Sequence, residues 1–297
     1  MRKAALLLMI CAPLAVMGQA DQPKREASAR VQAPSYSDMY CAGFITKQGF
    51  TAGNYLAGGA ASPDQTQYFL NDVVFLDGSG YTEGARFSII RPLRDPNASR
   101  GYKGETAAIA AAGQPYADLG RVRVTAIRGK IAIAVVEFSC APMVPGDLVT
   151  PFAEKPPLAF RAKTAFERFP TASNGVTGRV VLAKDFDYLP AAGQKVYLNI
   201  GADKGVKVGD YFRAMRSYDP KKMDEVDKLS LTVPQSEETQ VYSNSVPNSK
   251  YADFPRRAVA EMIIINVTPT SSTAMITYSL EEVALGDTVE LEGGGGQ

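Results

Sequence analysis

The chain predicts an all-β protein of two tandem small barrels, about six strands each, joined by a Pro-containing linker and produced by an internal duplication. Three observations carry this. Short alternating or apolar runs recur between Gly, Pro and Asp turns, among them GRVRVTAI, KIAIAVVEFS, VAEMIIINV and STAMITYS. Residues 120–149 align without a gap with residues 260–289 at an offset of 140, which matches Val122, Val124 and Ile127 with Met262, Ile264 and Val267, and Gly146-Asp147 with Gly286-Asp287. A strand-turn-strand unit also occurs twice. KVYLNIGADKGVKVGD, from Lys195 to Asp210, leads into YFRAMR; VVFLDGSGYTEGARFSIIR, from Val73 to Arg91, is a looser copy in which Gly84, Phe87 and Arg91 match Gly209, Phe212 and Arg216. Closure hides the edges of such short strands, so the expected architecture is an SH3-like or related small barrel.

Taken in order, residues 1–20 read as a secretory signal peptide. Arg2 and Lys3 precede the apolar AALLLMICAPLAVM, and Gly18-Gln19-Ala20 supplies small residues for cleavage after Ala20. The alternative is an uncleaved anchor, but a run of about 14 residues interrupted by Pro13 is short for a membrane span. Met9 and Ile10 stand where a lipobox needs small residues, so Cys11 reads as part of the apolar region. Residues 21–37 are polar and aperiodic, a flexible N-terminus. The first domain spans 38–149, with MYCAGFIT as its first strand candidate, Gly43 as a bend, and a long loop at 92–116 whose centre, ETAAIAAA, predicts one or two helical turns. Residues 150–175 are a Pro-rich linker around AFRAKTAFERF, with a short helix. The second domain spans 176–292, interrupted by a long polar insertion at 217–255, and residues 293–297 form a Gly-rich tail. At the start of the two units, Gly43-Phe44-Ile45 aligns with Gly178-Arg179-Val180 at an offset of 135.

The net charge of +1 argues against a nucleic-acid binder, which needs a basic excess. The chain has no His, which removes Ser-His and Cys-His catalysis and imidazole metal ligation. No S-x-x-K, P-loop or EF-hand pattern occurs. The expectation is a protein that is not an enzyme and has no cofactor and no metal. Asp185 and Asp187 are alternate carboxylates that fit a turn before Leu189-Pro190 better than a catalytic pair. Asp147, Asp210 and Asp287 follow glycines and read as turn caps.

With the leader removed, Cys41 and Cys140 remain, and an even pair in an exported protein predicts a disulfide. The two offsets carry them to Val176 and Leu280, and the first and last strands of a closed barrel would bring them together. A bridge there contributes roughly 2–4 kcal/mol. The alternatives are two buried free thiols or a redox pair.

The run Gly205-Val206-Lys207-Val208-Gly209-Asp210, with Phe212, Arg216 and the later Gly286-Asp287, resembles the C-terminal domain of the flagellar assembly protein T group. It is also similar to barrel modules of uncharacterised bacterial envelope proteins. The resemblance covers about 110 residues well and implies a fold rather than a chemistry. Together with the leader it predicts a binding or structural module exported to the periplasm or the extracellular side of a bacterial envelope. The expected partner is an envelope protein or peptidoglycan, reached through loops 92–116 and 217–255, with no membrane span after cleavage. A component of a flagellar-like or secretion assembly is the alternative, and a carboxylate-dependent wall-polymer enzyme a more distant one. Tyr211, after the Gly-Asp turn, and the linker cations Arg161, Lys163 and Arg168 are the candidate partner contacts.

Overall fold

The computed structural model describes residues 33–50, 52–62, 64–97, 100–158, 165–217 and 253–292, which form two closed six-stranded antiparallel barrels in tandem. A short helix α1 (Tyr36–Tyr40) and strand β1 (Phe44–Thr46) come first. The first barrel is built from β2 (Tyr55–Gly59), β3 (Val73–Asp77), β4 (Arg86–Pro92), β5 (Gln114–Arg128), β6 (Ile131–Ser139) and β7 (Leu148–Pro151), with helix α2 (Glu105–Ala112) between β4 and β5. Its strands run β5-β4-β7-β2-β3-β6 and close through β5–β6, while β1 lies outside the ring, paired with the start of β5. The second barrel uses β8 (Thr177–Ala183), β9 (Lys195–Leu198), β10 (Tyr211–Arg216), β11 (Arg257–Val267), β12 (Ser272–Ser279) and β13 (Thr288–Leu291), closed in the order β10-β11-β12-β9-β8-β13.

The duplication holds at the level of single pairs. In the β5–β6 hairpin, Gly120 faces Ser139, Val122 faces Val136 and Ile127 faces Ala132; in β11–β12, Ala260 faces Ser279, Met262 faces Ile276 and Val267 faces Ser272. Both hairpins slip register at the same two places. The β4–β5 and β10–β11 pairs agree as well, with one bulge after Ile89 and its counterpart after Ala214. Bulges bend a strand and increase its twist, so repeating them repeats the curvature that closes each barrel.

The alignment at the start is corrected. Gly178–Val180 belongs to β8, which pairs with β9 and β13 as β2 pairs with β3 and β7. Arg179 faces Thr288 where Tyr55 faces Leu148, so Gly178-Arg179-Val180 is the counterpart of Asn54-Tyr55-Leu56 and not of Gly43-Phe44-Ile45. The resemblance reflects two short Gly-led apolar runs, of which only one is a barrel strand. MYCAGFIT divides accordingly: Met39 and Tyr40 end a helix, and only Phe44–Thr46 is extended. Ser35 and Asp38 form a capping box, each side chain accepting from the other's backbone N–H, which starts α1 here.

The matched charged residues share one task. Asp147 and Asp287, both buried, each accept the backbone N–H three residues before, from Val144 and Ala284. Arg91 grips both oxygens of Asp147 at 2.7 and 2.8 Å and donates to the Pro142 carbonyl; Arg216 grips Asp287 at 2.9 and 3.0 Å and donates to the Glu282 carbonyl. Gly146 and Gly286 adopt φ of +93° and +98°, the left-handed conformation that favours glycine before the aspartate. Each Gly-Asp turn is therefore an arginine-locked corner between the third and last strands of its barrel.

The barrels are joined by a seam built on β1. The Tyr197 hydroxyl donates to the Ala42 carbonyl at 2.9 Å, Thr273 to Gly43 at 2.9 Å, and Thr268 and Ser271 to Ile45. Gly43, at φ +70°, leaves no room for a side chain: a Cβ would lie 2.4 Å from the Tyr197 hydroxyl oxygen and 2.8 Å from the Tyr116 carbonyl oxygen. Ile45 and Ala112 pack with Val181, Leu182 and Tyr197, and Ala42 packs with Ile263, Ile265 and Met275. Loop 92–116, read as a surface for a partner, contributes to this seam. It holds the predicted helix α2, and Tyr102 is buried in the core of the second barrel with its ring against Gly286. Thr270 donates to the Ala112 carbonyl at 2.8 Å.

Candidate functional site

The described residues form a small polar recess on the outside of the first barrel. Ser88, Asp118, Gly120, Arg121 and Phe138 supply its floor from β4, β5 and β6; Tyr40 comes from α1, and Phe152, Ala153 and Lys155 from the segment after β7. It encloses about 40 Å3. The bulge after Ile89 makes it: Ile89 faces Gly120 and Ile90 faces Asp118, so Leu119 turns into the core and the Asp118 carboxylate is aimed outward at the Gly43 N–H, 3.0 Å away.

The electrostatics are those of a charge pair held apart. Burial pushes the Asp118 carboxyl up, opposed by Lys155 and the Gly43 N–H. Burial pushes the Lys155 amine down, opposed by Asp118. The two do not form a direct ion pair. Lys155 donates to the Met39 carbonyl at 2.6 Å and lies 5.5 Å from the centre of the Tyr40 ring. The Arg121 guanidinium stacks over Phe152 at 4.9 Å; its Nε is 3.5 Å from Glu137 and has no hydrogen-bond partner among the described residues. Tyr40 is a hinge of the arrangement, accepting the Lys155 backbone N–H at 2.7 Å and stacking on Phe152. A cavity with unused donors, an unused acceptor and aromatic walls can hold a small group that both donates and accepts hydrogen bonds.

The residues singled out from sequence fall elsewhere. Cys41 and Cys140 are disulfide-bonded with Cα atoms 5.5 Å apart, on the flank of this recess. Their route differs from the expected one: Cys41 ends helix α1 rather than starting a barrel strand, and Cys140 follows β6 rather than the last strand. Tyr211 is half-buried on the outer face of the second barrel, packed against the cluster of Ala42, Ile263, Ile265 and Met275, while Phe212 fills the core. Arg168 pairs with Glu281 at 3.1 Å and lies 5.8 Å from the Phe169 ring centre. Asp187 accepts from Leu189 and Gln194 in a turn, and Asp185 is exposed. Arg161, Lys163, the leader at 1–20, most of the 21–37 stretch, nearly all of the 217–255 insertion and the tail lie outside the described residues. Among the described residues no helix is long and apolar enough to cross a membrane.

Sequence reasoning missed Asp118, Lys155 and Tyr40. Their only trace is a lone acid inside the apolar run PYADLGRV, since the partners lie far along the chain. No protein-family model matches the chain, and no curated protein is similar to it.

Proposed function

We propose that this protein is an exported, non-enzymatic binding or structural module of the bacterial envelope, contacting peptidoglycan or an envelope protein. The observation that carries the reading is how the two halves differ. What they share is architecture: core, register, bulges and the arginine-locked turns. What distinguishes them lies on the outer face, where Asp118, Arg121 and Phe138 stand opposite Ala258, Glu261 and Tyr278 in the matching strand positions. A duplicated scaffold with diversified outer faces suits recognition rather than turnover. The disulfide and the apolar leader favour an oxidising, exported location.

The test is a pull-down of the mature chain against purified peptidoglycan and solubilised envelope proteins, read by mass spectrometry. Sedimentation with peptidoglycan, or recovery of a discrete envelope set, supports the reading; recovery of neither sinks it. Recovery of flagellar or secretion components would favour the assembly role implied by the resemblance of Gly205–Asp210, Phe212, Arg216 and Gly286-Asp287.

A further inference from the structure

Resting on the envelope reading, we infer that the recess beside the disulfide is a subsite for the acetamido group of an N-acetylated sugar. An acetamido group needs an acceptor for its N–H, a donor for its carbonyl and an apolar wall for its methyl. Asp118 offers the acceptor: among the described residues its carboxylate takes only the Gly43 N–H, which leaves lone pairs free. Lys155 offers donors, having used one on Met39. Phe138 and Phe152 supply the wall.

Size agrees with this chemistry. A recess of about 40 Å3 takes about three water-sized groups, at the ~10–15 Å3 that each needs. That is the scale of a small group such as acetamido rather than of a whole sugar ring. The ring would then rest outside, where Tyr36 stands half exposed against Tyr40 and Phe138 at centroid distances of 4.4 and 5.2 Å. A carboxylate fits less well, because it would meet Asp118; a hydroxyl would leave the aromatic wall unused.

Among the described residues the second barrel carries no copy of this chemistry. Ala258 replaces Asp118, Glu261 replaces Arg121, and Phe166 packs on Tyr278 where the counterpart Phe138 borders the recess. One subsite is therefore expected among the described residues.

The experiment is a titration of the full mature chain with tri-N-acetylchitotriose and with its fully de-acetylated counterpart, followed by aromatic ring resonances. Saturable shifts at Tyr40 and Phe152 with the acetylated trimer alone are expected. Lys155→Met and Phe152→Ala should each weaken binding at least tenfold while core resonances such as Phe212 stay in place. Equal binding of both trimers, absence of binding, or binding unchanged in both variants overturns the inference. An N-acetylated tripeptide that binds as tightly as the sugar also overturns it, by assigning the recess to a peptide partner. Peptidoglycan that sediments equally with wild type and Lys155→Met sinks the subsite and leaves the envelope reading standing. Trimer binding without recovery of any envelope component does the reverse.

Discussion

The two barrels share one strand order and one register, yet their outer faces have opposite fates. On the first, Arg123, Thr125, Ile133 and Val135 point outward and remain at least partly exposed. The matching positions on the second are Ile263, Ile265, Thr273 and Met275, and all are buried. β1, the chain around Ala42 and the linker near Leu158 cover them. The difference shows that a barrel's interior and corners fix its shape, while its outside records what lies against it. β11 and β12 read as nearly continuous apolar runs because they are buried on both faces, as covered strands are.

The sharpest way to break the comparison is at the shared corner. Arg216→Ala strips the buried Asp287 carboxylate of its bidentate guanidinium and should cost about 3–5 kcal/mol in denaturant unfolding. Arg91→Ala should cost less, about 1–3 kcal/mol, because the Arg91 side chain is 35% exposed against 12% for Arg216 and water can replace part of the loss. Equal and small losses would show that the corner is not what holds either barrel. The second test concerns the outer faces directly. Ile263→Ala should cost about 2–5 kcal/mol, as for a core residue. Arg123→Ala at the matching position should stay within about 1 kcal/mol despite its bond to Glu137. Comparable costs would erase the distinction between covered and open faces.

The sequence exposed the fold where structure is local. The offset of 140 survives intact because a hairpin with a short turn carries its register with it, bulges included. The turn glycines were legible since only a positive φ explains a repeated Gly-Asp after an aperiodic loop. The arginines that lock those turns were visible as matches, but their partners lie 56 and 71 residues away and leave no local signal. The start of the repeat misled because β1 imitates a barrel strand in composition while serving as a bridge. Loop 92–116 shows a related limit: Tyr102 lies in the core of the second barrel, a contact that no local pattern marks. The recess depends on α1, β5 and the segment after β7 converging, which no window of sequence contains.

The disulfide tests whether the strap over the second barrel is held from the first. Cys41 lies just before the residues whose carbonyls meet Tyr197 and Thr273, and Cys140 anchors them to the first barrel. Cys41→Ser with Cys140→Ser should lower stability by about 2–4 kcal/mol. Amide exchange should quicken most in β1 and in the covered strands β11 and β12. Uniform quickening across both barrels would mean that the bridge acts on the unfolded chain alone.

The smallest effect separates the barrels by acid response. Burial pushes the Glu281 carboxyl up, but Arg257, then Arg216 and Arg168, outweigh it and hold it below its ordinary 4.5. Its contribution is therefore present above pH 4.5 and lost as pH falls through its lowered folded value. Asp118 has the opposite sign: its folded value is raised from 3.8 by burial, so its contribution is fully present below 3.8 and lost as pH rises through the raised value. Glu281→Gln should accordingly destabilise by about 1 kcal/mol or less at neutral pH and low salt, with the gap closing on acidification and with added salt. Asp118→Asn should show its largest relative gain at neutral pH and none in acid, provided that the Gly43 N–H keeps an acceptor. Parallel pH profiles for the two variants would contradict this assignment, because only groups shifted in opposite directions can give stability differences that change with pH in opposite senses.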